Sequence, residues 1–224
     1  MTTVDHHVAV MASTTLQPVP LVPEIVLHCA ANAYDVWTRT SAGDESAPMP
    51  FWSFPWAGGQ ALARYLLDHP HTIRGRSVLD LAAGSGLVGI AAALAGASQV
   101  TANDIDPYAT AAQEFNARAN GVTLLTLTAD LLGDDTLGGD IPDAHLPTAE
   151  IVLAGDVCYE RELSTRVLAF LLRCRARGAD VLLGDPGRTY LPREQLTAVA
   201  SYDVPTTLEL EDRQLKSTTV FRLR

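Results

Sequence analysis

The sequence predicts an α/β fold: a doubly wound, mostly parallel seven-stranded sheet with helices on both faces, closed by an antiparallel C-terminal strand pair. Three observations predict it. From Gly75 onward, short apolar runs alternate with segments of helical spacing and short connections, the pattern of a parallel sheet covered on both sides. The first of these runs feeds a glycine-rich turn, Gly84-Ser85-Gly86, immediately before a helix of small residues, as right-handed βαβ crossovers require. Near the C-terminus, Thr206–Asp212 and Ser217–Leu223 alternate with period two, the mark of an antiparallel pair.

Residues 1–23 hold small polar residues and three prolines, Pro18, Pro20 and Pro23, and read as a poorly ordered tail. Residues 24–224 read as a single domain whose first part, 24–74, is an N-terminal extension. In that extension the run EIVLHCA is apolar, AYDVWTRT makes a helical turn or two, and SAGDESAPMP is a loop. GQALARYLLDH is a helix carried by Leu62, Tyr65 and Leu66 and stopped by Pro70.

The regular part follows. VLDLA is a buried strand and LVGIAAALAG a helix. QVTAND is the second strand; Asp106 and Pro107 then open a helix as N-cap and first residue, and Gly121 ends it. TLLTLT, IVLAGD and ADVLLGD supply three more strands, with a long polar loop (132–148) and the amphipathic helix RELSTRVLAFLLRCRA between them. LPREQLTAVAS has the spacing of a last helix.

The chain has 224 residues, 16 basic and 26 acidic, for a net charge of −10. The length supports one sizeable core, and the excess of acid argues against sequence-independent nucleic-acid binding and against an anionic membrane surface. Lys216 is the only lysine. A GC-rich genome explains that bias, and it leaves one side chain open to lysine self-methylation. Cys29, Cys158 and Cys174 form no paired ligand motif, so neither a disulfide framework nor a metal site is expected. No apolar run approaches a bilayer span, and the first basic residue is Arg39, which leaves no cationic leader. A cytoplasmic location is expected.

The turn Gly84-Ser85-Gly86-Leu87-Val88-Gly89 matches GxGxxG, and Asp104 lies twenty positions after Gly84. Both features suit a dinucleotide site, so an NAD-dependent oxidoreductase or a non-catalytic nucleotide-binding module are rival readings. Asp80, four residues before Gly84, opposes them, because a carboxylate there repels a pyrophosphate. A phosphate-free cation reverses that demand. VLDLAAGSG is similar to the S-adenosylmethionine motif of class I methyltransferases. The resemblance implies that Asp80 holds the methionine ammonium, that Gly84 and Gly86 let the backbone approach the ligand, that Asp104 takes the ribose hydroxyls, and that Asp130 binds the adenine amino group with Leu131 against the ring. Ala82 stands where many members have glycine, a change that costs little if its φ is negative.

Asp156-Val157-Cys158-Tyr159 follows the fourth strand, in the crevice where doubly wound sheets bind ligands. DxxY at this point, PFWSFPWAGGQALARYLLDHP upstream and GDPGRTYLP downstream resemble the branch that methylates lysine on the electron-transfer-flavoprotein β subunit, with its bacterial nicotinamide-methyltransferase-like relatives. The resemblance spans about residues 50–195 and is absent from 1–23 and 132–148; Ala57 departs from it, proline being usual there. It implies methyl transfer from S-adenosylmethionine to a protein lysine, or alternatively to a small-molecule nucleophile. Asp156 then positions the amine, Tyr159 hydrogen-bonds to it, and Trp56 enters the pocket, ahead of Trp52 and Phe54, which are candidates for core. Gly59 and Gln60 are close-approach and polar-contact positions there. Asp185 and Arg188 either pair to shape a turn or form a rim that receives the substrate. Cys158, with no neighbouring histidine in sequence, is a small buried residue. The surplus acid could steer a cationic cofactor and a lysine-bearing partner inward.

Overall fold

The computed structural model describes residues 5–41, 44, 47–133, 148–208 and 211–224. In chain order the elements begin with α1 (His6–Ser13), β1 (Thr15–Val19), β2 (Val22–Cys29), α2 (Ala33–Thr40), α3 (Ala57–Asp68), β3 (Ser77–Leu81) and α4 (Leu87–Leu94). There follow β4 (Gln99–Asp104), α5 (Pro107–Ala119), β5 (Leu125–Thr128), β6 (Ile151–Gly155), α6 (Arg161–Ala176), β7 (Asp180–Asp185), β8 (Leu196–Pro205) and β9 (Leu215–Leu223). Seven strands form one sheet in the order β5-β4-β3-β6-β7-β9-β8. The pairs from β5 to β7 are parallel, and β9 runs antiparallel to both β7 and β8.

Successive strand residues serve opposite faces, as the pleat requires. Val78 and Leu153 join Leu62, Leu66 and Ile90 in the core under α3 and α4. Leu79 and Val152 join Val167, Phe170 and Leu171 in the core under α6. α3 sits close to the sheet because glycines meet there. A Cβ on Gly184 would lie 2.1 Å from the Gly58 carbonyl oxygen, and one on Gly155 would lie 3.0 Å from the Gly59 Cα. Helix and strands touch backbone to backbone, which brings the N-terminus of α3 over the ends of β6 and β7.

Two expectations are corrected. Residues 6–19 are not a loose tail: α1 is capped by Asp5, whose carboxylate accepts the amides of His7 and Val8, and β1 pairs antiparallel with β2. Pro18 is tolerated because it lies on a two-stranded edge where the register shifts. The hairpin is held by α5, since Asn120 exchanges two hydrogen bonds with the Val26 backbone and Asn116 accepts the His28 amide at 2.7 Å. These side chains take the place of a third strand. Val10, Val19 and Val22 are buried, a burial no local period announces.

The second correction concerns the C-terminal end. Leu196–Pro205 is the edge strand β8, preceded by one 3-10 turn at Arg193–Gln195, where helical spacing predicted a helix. Pairing with β9 runs from Leu196↔Leu223 to Pro205↔Leu215, and this ladder outweighs intrinsic propensity. β9 therefore has an antiparallel partner as expected, but it is β8, and the described residues of 206–212 form a connection instead.

Candidate active site

Sheet order places the site. The chain moves outward from β3 to β4 and β5, then returns to β6 on the other side of β3, so the crevice lies beyond the carboxyl ends of β3 and β6. Four acids reach that edge: Asp80 in β3, Asp104 ending β4, Asp156 just after β6, and Asp185 ending β7.

Gly84 (φ +51°) and Gly86 (φ +80°) both hold left-handed backbone, which explains glycine at each. Ala82 does so too, at φ +51°; the expectation of a negative φ there is corrected, and the alanine is strained. The loop is tied from three sides. Asp104 Oδ2 accepts the Gly84 amide at 2.8 Å, Gln113 Nε2 donates to the Gly84 carbonyl, and Asn116 Nδ2 donates to the Ser85 carbonyl at 2.9 Å. Asn116 thus joins the glycine loop to the β1–β2 hairpin. Asp104 Oδ1 accepts the Asp106 amide, and Asp106 caps α5 through the Tyr108 amide. Asp80 is 1 % exposed; its Oδ2 accepts the Gly89 amide at 2.7 Å. Burial pushes its carboxyl up to about 7, against the Gly89 hydrogen bond, and it pushes Asp104 upward as well.

This donor set fits a cationic, phosphate-free cofactor. The loop 80–89 carries a carboxylate and no basic side chain, and that carboxylate takes an amide in the first turn of α4, where a phosphate would otherwise seek its donors. Among the described residues no group of three or more His, Cys, Asp or Glu is arranged to hold a metal ion.

Just beyond β6, Asp156 has φ +57° and is 9 % exposed. Its Oδ2 accepts the Gly59 amide at 2.8 Å and its Oδ1 accepts Arg188 Nη2 at 3.1 Å. Burial raises its carboxyl to about 6, opposed first by the Arg188 charge. Asp185 Oδ1 accepts the amides of Gly187 and Arg188, both at 2.7 Å. The turn is therefore shaped by Asp185 through the backbone, while the Arg188 guanidinium reaches Asp156 and Glu211, the latter at 2.9 Å.

Tyr159 is 48 % exposed, and burial of the rest of its ring raises its phenol above the ordinary value, so it stays protonated near neutral pH. Its ring stands 5.7 Å from that of Phe51, which in turn stands 5.9 Å from that of Trp56. Trp56 Nε1 donates to the Phe51 carbonyl. Trp56 and Tyr159 thus belong to one aromatic group through Phe51. Trp52 and Phe54 are core, with Trp52 stacked on Tyr108. Tyr159 also borders a pocket of about 230 Å³ with Gly187, Arg188 and Lys216, and a second of about 580 Å³ with Glu160, Arg166 and Tyr190.

Other candidates lie differently from expectation. Asp130 is engaged on both oxygens, Oδ1 by the Leu132 amide and Oδ2 by Arg166 at 2.9 Å; Arg166 also donates to the Gly133 carbonyl. Leu131 is 5 % exposed and packs in the core with Val167 and Phe170; burying an aliphatic side chain under α6 takes it off the open face. Gly59 packs on the sheet, where a Cβ on Gly155 would lie 3.0 Å from its Cα, and Gln60 bridges the Leu21 amide and the Pro55 carbonyl, which is scaffolding. Cys158 is buried, which pushes its thiol up to about 11, so it is no nucleophile. Phe51, Arg166 and Glu211 escaped sequence reasoning. Phe51 lies beside the aromatic trio and could have been included; the other two act on partners 36 and 23 residues away.

Comparison with known proteins agrees with this geometry. The family model for ribosomal protein L11 methyltransferases matches residues 61–152. Magnesium protoporphyrin IX methyltransferase from Synechocystis, solved with bound SAM, superposes with a TM-score of 0.52 at 18% identity over 87% of this chain and 92% of its own. A 16S rRNA methyltransferase of T. thermophilus, solved with AdoMet and guanosine, gives 0.56 at 16% identity over 94% and 50%. In sequence, the electron transfer flavoprotein beta subunit lysine methyltransferase of Danio rerio is 38% identical over 90% of this chain and 76% of its own length. The Homo sapiens protein of that name is 34% identical over 90% and 75%. A donor set that suits a phosphate-free cation and this level of identity lead to one assignment: the chain belongs to the electron transfer flavoprotein beta subunit lysine methyltransferase family of S-adenosylmethionine-dependent enzymes.

Proposed function

We propose that the protein methylates a lysine of an electron transfer flavoprotein β subunit. The observation that carries this reading is the meeting, at one switch point, of the Asp80–Gly84–Gly86–Asp104 loop with the Asp156–Tyr159 edge. S-adenosylmethionine supplies an electrophilic methyl carbon on a sulfonium.

Asp80 would hold its ammonium and Asp104 its ribose hydroxyls, with Gly84 and Gly86 keeping the backbone clear. Trp56 would line its methyl end. Asp130 and Leu131 would border the adenine side, Asp130 as the Arg166 ion pair and Leu131 as the core beneath. Asp156 positions the acceptor nitrogen, and Tyr159 and Phe51 exclude water around it. Asp156 is a poor base toward an ammonium, because its value of about 6 lies about 4 units below free lysine. Deprotonation therefore rests on desolvation of the ammonium among the aromatic rings, and orientation supplies the rest. Arg188 and Asp185 form the rim that receives the partner. The partner is a protein, and neither nucleic acid nor a membrane is part of this reading; a cytoplasmic location suits three buried cysteines that form no disulfide.

The test is incubation with tritiated S-adenosylmethionine and purified flavoprotein β subunit, followed by mapping of the label. Label on a lysine of the subunit is expected. Label found only on small molecules in a lysate, with the subunit unlabelled, overturns the reading.

A further inference from the structure

Arg188 holds two acids with one nitrogen. Its Nη2 lies 3.1 Å from Asp156 Oδ1 and 2.9 Å from Glu211 Oε1. Its backbone cannot follow the side chain, because Asp185 fixes the Arg188 amide. Glu211 is brought in from the β8–β9 connection, its side chain is 5 % exposed, and its second oxygen faces Lys216 Nζ at 3.4 Å. Asp156 and Glu211 thus share a single guanidinium while Asp185 holds its backbone, with Lys216 at the outer end of the chain of contacts.

On the proposed reading the acceptor nitrogen comes to Asp156, whose Oδ2 already accepts the Gly59 amide. Oδ1, the oxygen with no backbone donor on it, is the one Arg188 occupies. A guanidinium and an incoming ammonium repel each other at that oxygen. Removing Arg188 to water is unnecessary, since its second partner is already within hydrogen-bond distance.

We propose that Glu211 is a positioning residue for methyl transfer: it draws the Arg188 guanidinium off Asp156 so that the acceptor lysine can take its place. This rests on the proposed lysine acceptor. Without Glu211, Arg188 stays on Asp156 and competes with the substrate; cofactor binding, which uses the other side of the crevice, is not involved.

The experiment compares wild type, Glu211→Gln, Arg188→Gln and the double variant. For Glu211→Gln the KM for the flavoprotein β subunit rises at least about fivefold and kcat changes less, the pattern of lost acceptor access. S-adenosylhomocysteine affinity by calorimetry stays at the wild-type level. In the Arg188→Gln background Glu211→Gln has no further effect on that KM, because the competitor is gone, and Glu211→Asp restores part of the loss. A crystal structure of Glu211→Gln with S-adenosylhomocysteine shows both terminal nitrogens of Arg188 on Asp156. An unchanged KM, an equal effect in both backgrounds, or an unmoved Arg188 overturns the proposal; equal effects would mark Glu211 as structural only. If wild type leaves the subunit unmethylated, the acceptor reading fails by itself, and the crystal structure decides the sharing of Arg188 independently.

Discussion

The Asp156 carboxylate accepts the Gly59 amide at 2.8 Å, so the residue proposed to position the acceptor also ties down the first turn of α3. Replacing it by alanine removes a helix-terminus acceptor at a position with φ +57°, a conformation that Asp and Asn tolerate better than other side chains. Asp156→Ala is expected to lose about 1–3 kcal/mol of stability as well as turnover. Asp156→Asn keeps an oxygen for Gly59 and loses the charge and the acceptor for Arg188, which retains Glu211. It should melt within a few degrees of wild type while turnover falls at least about tenfold. Steady-state assays beside thermal melts check this, and retained turnover in Asp156→Asn removes the carboxylate from the mechanism.

Asp104 already serves two amides, those of Gly84 and Asp106, so its alanine variant loosens the glycine loop whatever the cofactor does. The asparagine variant separates the effects, since its one oxygen can still accept from Gly84. Asp104→Asn should weaken S-adenosylhomocysteine binding by about 10–100-fold, the range for losing charge-assisted hydrogen bonds. Calorimetric titration measures it, and unchanged affinity refutes the ribose contact.

Asp80 gives a pH dependence whose sign is fixed. Its folded value of about 7 lies above the unfolded value of about 3.9, and burial is the main cause. Its contribution to stability is therefore fully present below about pH 4 and is lost as pH rises through about 7. Asp80→Asn, which can still accept from Gly89, should melt like wild type at about pH 4 and higher than wild type at about pH 8. The same ionisation should tighten cofactor binding between about pH 6 and 8 in wild type and not in the variant. A melting difference that does not change with pH would show that Asp80 ionises normally.

The regular part of the fold was legible because its signals are local. Gly84 and Gly86 need left-handed backbone, Asp106-Pro107 opens α5, and apolar runs mark β3, β6 and β7. What was not legible depends on distant partners. β1 and β2 are held by Asn116 and Asn120 of α5, about 90 residues on, and nothing in Thr15–Val19 announces that. β8 has helical spacing until β9 offers it a ladder. In the site, the glycine loop follows β3 and Asp156–Tyr159 follows β6, the positions that the local runs had given them. The pairing of Asp130 with Arg166, and of Arg188 with Glu211, was not, because an ion pair across 36 or 23 residues leaves no spacing to read.

Ala82 occupies left-handed backbone at φ +51° and is exposed, so no packing is lost if its Cβ is removed. Left-handed conformation costs a non-glycine residue about 1–3 kcal/mol, partly offset by the greater chain entropy of glycine when unfolded. Ala82→Gly should raise stability by about 1 kcal/mol in chemical denaturation, with cofactor affinity unchanged or slightly improved. A loss of stability would mean that the loop has another backbone arrangement.

Lys216, the only lysine, borders the same pocket as Tyr159 and Arg188 and would look like an ideal target for self-methylation. Its surroundings oppose that outcome. Nζ donates to Asp212 Oδ1 at 2.6 Å and faces Glu211 Oε2 at 3.4 Å. The hydrogen bond to Asp212 leads the causes that raise its value above that of an ordinary lysine. A methyl acceptor must first be neutral, and these acids hold the nitrogen as an ammonium with its protons committed. Wild type incubated with S-adenosylmethionine, then digested and read by mass spectrometry, should carry no methyl group on Lys216. Asp212→Ala removes the stronger partner and should make the nitrogen easier to methylate, so any label appears first in that variant. Stoichiometric methylation of Lys216 in wild type would show that the pocket accepts an ion-paired lysine, and desolvation by the aromatic group would then have to outweigh both carboxylates.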